Sequence, residues 1–120
     1  MSYHRAPKID KSQPAIVAAL EVAGWWVYKW SKDGGPADLI VSDIYGEVVF
    51  ILEVKTPGPP AKRRLKERCY KFMLGCPMMG GICTTPSEAL SIALAAQGGT
   101  LEKCSRAARR YFYETGEKFS

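Results

Sequence analysis

Between Gly34 and Lys55 the chain reads GGPADLIVSDIYGEVVFILEVK: two apolar, β-branched runs joined by a short turn, with an aspartate opening the first and Glu-Val-Lys closing the second. Residues 38–42 and 48–54 are predicted to pair as a hairpin, with Asp43, Tyr45 and Gly46 in the connection. Strand side chains alternate between faces, so Val49, Ile51, Glu53 and Lys55 project together, while Val48, Phe50, Leu52 and Val54 project the other way. A carboxylate and an ammonium in an apolar strand carry a free-energy cost unless they are paired or hold an ion. If the hairpin brings Asp38 alongside, the site holds two carboxylates and one ammonium, a set that can grip a hard divalent cation and activate a water. A solvated strand end with a weak surface Glu–Lys pair fits the same spacing, and spacing alone leaves both open.

The flanks carry clear periodicities. Residues 12–23 are predicted to be a helix, with Ser12 as N-cap, Pro14 in the first turn, Gly24 just past the end, and Ile16, Val17, Leu20 and Ala23 as its core stripe. Residues 25–30 read as a strand whose rings belong to the core and rim of a sheet rather than to a base-stacking platform. Thr56 to Pro60 cannot be helix or central strand and is an exposed loop. Residues 61–74 are predicted to be a helix, Leu65, Cys69, Phe72 and Met73 on one side and basic residues on the other. A short strand over 78–85 follows, then a helix opened by Thr85-Pro86-Ser87-Glu88 with Ala89, Leu90, Ala93 and Leu94 facing a core. Residues 101–113 are expected to form a last helix, docked by Tyr111, Phe112 and Tyr113. The reading is one α/β domain over 1–120, with a core at about 10–96 and a basic, aromatic C-terminal extension over 97–120.

A chain of 120 residues can bury a core without disulfides. The opening MSYHRAPKID lacks the apolar centre of a signal peptide, and no segment approaches the roughly 20 apolar residues of a membrane span, so a soluble cytoplasmic protein with no membrane partner is expected. Cys69, Cys76, Cys83 and Cys104 show no Cys-x-x-Cys spacing and His4 is the only histidine, which argues against structural zinc and for reduced thiols. The net charge of +5 is densest at Lys62, Arg63, Arg64, Lys66, Arg68 and Lys71, directly after Lys55. Such clustering points to a polyanion partner; a solvated helix face is the alternative.

The order of helix, three strands, basic helix, strand and helix, with QPAIVAALEVAG, GGPADLIV, FILEVK and TTPSEAL in succession, resembles the PD-(D/E)xK nuclease superfamily over about residues 10–95. Within it the chain is most similar to the small VRR-NUC and archaeal-type Holliday-junction-resolvase-like proteins common in phages and prophages. The resemblance implies a restriction-endonuclease-like αβββαβ core, a central mixed four-stranded sheet flanked by helices, plus a C-terminal helix. It also implies a Mg²⁺- or Mn²⁺-dependent DNA endonuclease hydrolysing phosphodiester bonds, with no small-molecule cofactor. Asp38, Glu53 and the Val54 carbonyl would be the metal ligands, and Asp38, Glu53 and Lys55 the catalytic set, Lys55 orienting or deprotonating the attacking water. Arg63, Arg64, Lys66 and Arg68 are expected to bind DNA phosphates, with Arg68 and Lys71 the members closest to a purely structural role. Branched DNA or a four-way junction is the expected substrate and a homodimer the expected assembly. Three positions depart from the pattern. Ala37 stands where the family has proline, Gln13 replaces a metal-linked glutamate as an accessory site residue without charge, and Cys69 replaces a glutamine. The last two keep open a DNA-binding or regulatory module with a vestigial nuclease site.

Overall fold

The computed structural model of the protein describes residues 11–120; His4 and the rest of the first ten residues, including the opening read for a signal peptide, lie outside them. In chain order the elements are α1 (Gln13–Val22), β1 (Trp26–Tyr28), β2 (Leu39–Ser42), β3 (Val49–Val54), α2 (Glu67–Gly75), β4 (Gly80–Cys83), α3 (Pro86–Gln97) and α4 (Cys104–Glu114), with 3-10 turns at Trp30–Asp33 and Pro60–Lys62. The β2–β3 turn is closed by Asp43, whose Oδ1 accepts the backbone N–H groups of Glu47 at 2.8 Å and Val48 at 3.1 Å. That local bond is the mechanism by which an aspartate nucleates a tight connection. The strands form one mixed sheet in the order β1-β2-β3-β4, antiparallel at the first two interfaces and parallel between β3 and β4. The parallel step requires a crossover, and α2 supplies it.

The sheet separates two cores, and side-chain alternation decides which residues enter each. Phe50, Leu52 and Val54, with Leu39 and Val41, face α1 and α3 through Ile16, Val17, Leu20, Ala89, Ala93 and Ala96. Ile51 faces the other way, against Leu65, Cys69 and Met73 near α2 and Cys104, Ala107, Ala108 and Tyr111 of α4. Residues 97–120, set apart by composition as an extension, thus supply four of the ten buried residues of the second core. Helix α3 begins in a capping box, Thr85 Oγ1 accepting Glu88 N–H at 3.2 Å while Glu88 Oε1 accepts Thr85 N–H at 3.1 Å. Its small face meets α1, so Leu94, expected in the core, is turned out to solvent, and Leu90 is only half-buried.

The predicted helix over 61–74 starts late. Leu65 is fully buried, the Arg63 carbonyl accepts the Tyr111 hydroxyl at 2.6 Å, and the Leu65 carbonyl accepts the Ser120 N–H at 3.0 Å. Carbonyls that a helix would direct to its own next turn are taken by the C-terminal residues, so helix begins at Glu67 and Arg63, Arg64 and Lys66 precede it. No helix among the described residues is long and apolar enough to cross a membrane.

Candidate active site

Asp38 ends the loop before β2 and Glu53 lies near the end of β3, fifteen positions on. The antiparallel register Leu39↔Leu52 and Ile40↔Ile51 places them side by side. Ser31 N–H donates to the Asp38 carbonyl at 3.2 Å, tying this residue to the chain that continues β1. The two acids are interlocked: Asp38 N–H donates to Glu53 Oε1 at 3.0 Å, and Val54 N–H donates to Asp38 Oδ2 at 2.8 Å. Lys55 Nζ stands 3.5 Å from Glu53 Oε2, with both side chains largely shielded from solvent. Asp38, Glu53 and Lys55 are therefore brought together as expected, and the pair is a partly buried cluster rather than a solvated strand end.

Its electrostatics follow from that burial. Glu53 is 6% exposed, and its carboxyl is pushed up from 4.5 to about 8, first by loss of solvent and then by the negative charge of Asp38, with Lys55 opposing. Cys69, also buried, sits close enough that Glu53 is the leading charge acting on it; burial first and that charge second raise its thiol well above the ordinary range. The position where a glutamine was expected thus holds an inert, protonated sulfur beside the carboxylate.

The residues present fit a hard divalent cation on donor chemistry. Among the described residues no three His, Cys, Asp or Glu side chains are grouped to hold a metal ion. Mg²⁺ is ordinarily bound through one or two carboxylates, its remaining positions filled by water and substrate oxygens, and two adjoining carboxylates meet that requirement. Gln13 is buried at the start of α1, and its Oε1 is a buried side-chain acceptor left without a partner among the described residues. It shares the stripe of Ile16, Val17 and Leu20, which covers the sheet face opposite Glu53.

The basic residues separate by geometry. Arg63 donates to the Gly58 carbonyl at 3.0 Å and lies over the Tyr111 ring, 5.5 Å from its centroid. Arg64, half-buried, donates to the Thr115 carbonyl at 2.8 Å, which makes it a tie to the end of α4. Arg68 donates to the Gly34 carbonyl at 2.8 Å, Lys71 pairs with Glu67 at 3.5 Å on the surface, and Lys66 is exposed just before α2. A cleft of about 510 Å³ opens beside the loop after Lys55, its charged lining being Arg63 and Arg110 with Glu88 and Glu114, and Tyr111 beside them. Tyr111 does more than dock α4 by its ring. Its hydroxyl bond to Arg63 spans 48 positions and leaves no local signal.

Fold and site together define an α/β domain with a mixed four-stranded sheet that carries two interlocked carboxylates and a lysine at the β2–β3 junction. Comparison of the chain with protein-family models, curated proteins and solved structures returns no match.

Proposed function

We propose that this protein is a cytoplasmic, divalent-metal-dependent DNA endonuclease of the PD-(D/E)xK type, acting as a homodimer on branched DNA such as a four-way junction. The observation that carries this reading is the contact of Asp38 with Glu53 and Lys55 at one sheet junction, reached from two stretches fifteen positions apart. Asp38 and Glu53 would hold Mg²⁺ or Mn²⁺ with the Val54 carbonyl, and the cation when bound supplies Lewis-acid stabilisation of charge on the scissile phosphate. Lys55, paired with Glu53, would donate a hydrogen bond to the attacking water and, once it has given its own proton to solvent, would take up the proton that the water loses. The N–H of Asp38 fixes one Glu53 oxygen, which keeps that carboxylate from rotating away. Arg63 in the adjoining cleft and the exposed Lys66 supply positive charge for the strand that leads into the site.

A second reading, a DNA-binding or regulatory module with a vestigial site, is supported by Cys69 beside Glu53 and by the uncharged Gln13. Nicking of supercoiled plasmid and of a labelled four-way junction, with and without Mg²⁺, tests the first reading. Cleavage that requires the metal and disappears in Glu53→Gln is the expected result. Metal-independent cleavage would overturn the metal-site assignment, and no cleavage alongside salt-sensitive DNA retention would leave the second reading.

A further inference from the structure

Trp26 and Tyr28 project from the same side of β1, the edge strand of the sheet, yet they are 52% and 37% exposed. Trp26 pairs with Ser42 and Tyr28 with Ile40, and by alternation these β2 residues share the face of Asp38. Trp30, two positions further, packs edge-on against Phe72 of α2 with ring centroids 5.2 Å apart, and Gly35 lies so close that an added Cβ would run into the indole. The row Trp26, Tyr28, Trp30 thus runs along the face that bears Asp38 and Glu53. Trp30 is seated against α2, and the other two rings are left open.

Each pair of strand residues advances about 7 Å. Tyr28 is one such step from the level of Asp38 and Trp26 two, spacings comparable to the internucleotide distance of an extended single strand. The open rings already lie parallel, with centroids 6.0 Å apart and planes 11° from each other. The Tyr28 hydroxyl donates to the Asp33 carboxylate, which holds that ring in place. An ordered stack with a free end is what a nucleobase can extend, and every base offers a π-face to it. Lys32 is exposed in the turn after β1 and Arg68 is bound to the neighbouring Gly34 carbonyl, so two cations stand at this border against the one Asp33 carboxylate that holds Tyr28. The two half-exposed rings offer far less than the roughly 800 Å² per partner of a stable protein interface.

Resting on the nuclease reading above, we propose that Trp26 and Tyr28 form a stacking platform for unpaired bases of the DNA strand that enters the Asp38–Glu53 site, so that the substrate carries single-stranded nucleotides next to the cut. The test is fluorescence anisotropy of the full chain with a labelled unstructured oligodeoxynucleotide and with a hairpin duplex, in EDTA so that binding is read without cleavage. Trp26→Ala and Tyr28→Ala are each expected to weaken single-strand binding by about ten-fold, with duplex affinity changed by less than about two-fold and Trp26→Phe close to the parent. Unchanged single-strand affinity in both alanine variants, or equal loss for strand and duplex, would overturn the proposal. So would sedimentation showing that Trp26→Ala turns a parent dimer into monomers, which assigns the face to a second copy. Failure of the parent to nick plasmid counts against the nuclease reading alone, because this measurement needs neither metal nor turnover.

Discussion

Asp38 and Glu53 each bond the main chain at the other's position: Asp38 N–H reaches Glu53 Oε1 at 3.0 Å, and Asp38 Oδ2 receives the N–H of Val54, the residue after Glu53, at 2.8 Å. The carboxylates are thereby part of the pairing between the loop before β2 and the end of β3. Structural and chemical roles fall on the same atoms, and substitutions must be chosen to separate them.

Asp38→Asn retains an oxygen acceptor for Val54 N–H but removes the charge, whereas Asp38→Ala leaves that donor unpaired, at a cost of about 1–3 kcal/mol. The asparagine variant is expected to melt near the parent and the alanine variant several degrees lower, with metal-dependent cleavage absent from both. Thermal melts and plasmid nicking check this. Parental nicking by Asp38→Asn would remove Asp38 from the site.

The Glu53 carboxyl lies at about 8 in the folded chain against an ordinary 4.5. Folded protein therefore holds a proton that the unfolded chain has released, so the stability linked to Glu53 is full below about 4.5 and lost as pH rises through about 8. Metal-free protein should lose on the order of 3–5 kcal/mol across that window, and Glu53→Gln should lose much less. Adding Mg²⁺ should restore stability most at the alkaline end, where both carboxylates are ionised. Urea denaturation over a pH series, with and without Mg²⁺, gives the comparison. Equal pH slopes in parent and variant would contradict the assignment.

Lys55 is the cation that opposes the upward push on Glu53. Lys55→Ala should reduce cleavage by about 10²-fold or more, the usual scale of a lost general acid–base group, while Mg²⁺ affinity changes far less. Lys55→Arg should restore the charge but little of the rate, because guanidinium does not give up its proton. Single-turnover rates and metal titration separate these effects.

Lys66 is exposed, and Arg64 is committed to the Thr115 carbonyl. Neutralising Lys66 should flatten the slope of log K against log salt by about 0.9, the counterion released per duplex phosphate contacted. Arg64→Ala should act on the fold instead, costing about 1–3 kcal/mol through the lost charged hydrogen bond. A salt series and a denaturation curve for each variant distinguish the two roles.

Gly80, the first residue of β4, has no room for a side chain: a Cβ there would collide with Cys104 Sγ and press on the Ile51 carbonyl. Gly80→Ala is expected to destabilise by about 1–3 kcal/mol, the range for overpacking. Combining it with Cys104→Ala should recover part of that loss, a coupling a double-mutant cycle measures directly. Strict additivity would show that the Ile51 side of the contact dominates.

The two-residue repeat of a strand is set by backbone geometry, so the sequence determined that Glu53 and Lys55 share a face with Ile51 while Phe50, Leu52 and Val54 fill the other core. It likewise determined the Asp43 turn and the Thr85–Glu88 cap, whose bonds close within a few residues. Tertiary structure decided what depends on partners distant in the chain. Helix was expected from residue 61, but Tyr111 and Ser120 capture the carbonyls of Arg63 and Leu65 and defer it to Glu67. Arg64 carries the same local charge signal as Lys66, and only its contact with Thr115, 51 positions away, marks it as structural. Trp26 and Tyr28 have the composition of buried strand residues and stand open on the edge strand, while Trp30 is seated against Phe72. Periodicity states which face a side chain occupies; what covers that face is settled by packing among elements remote in sequence.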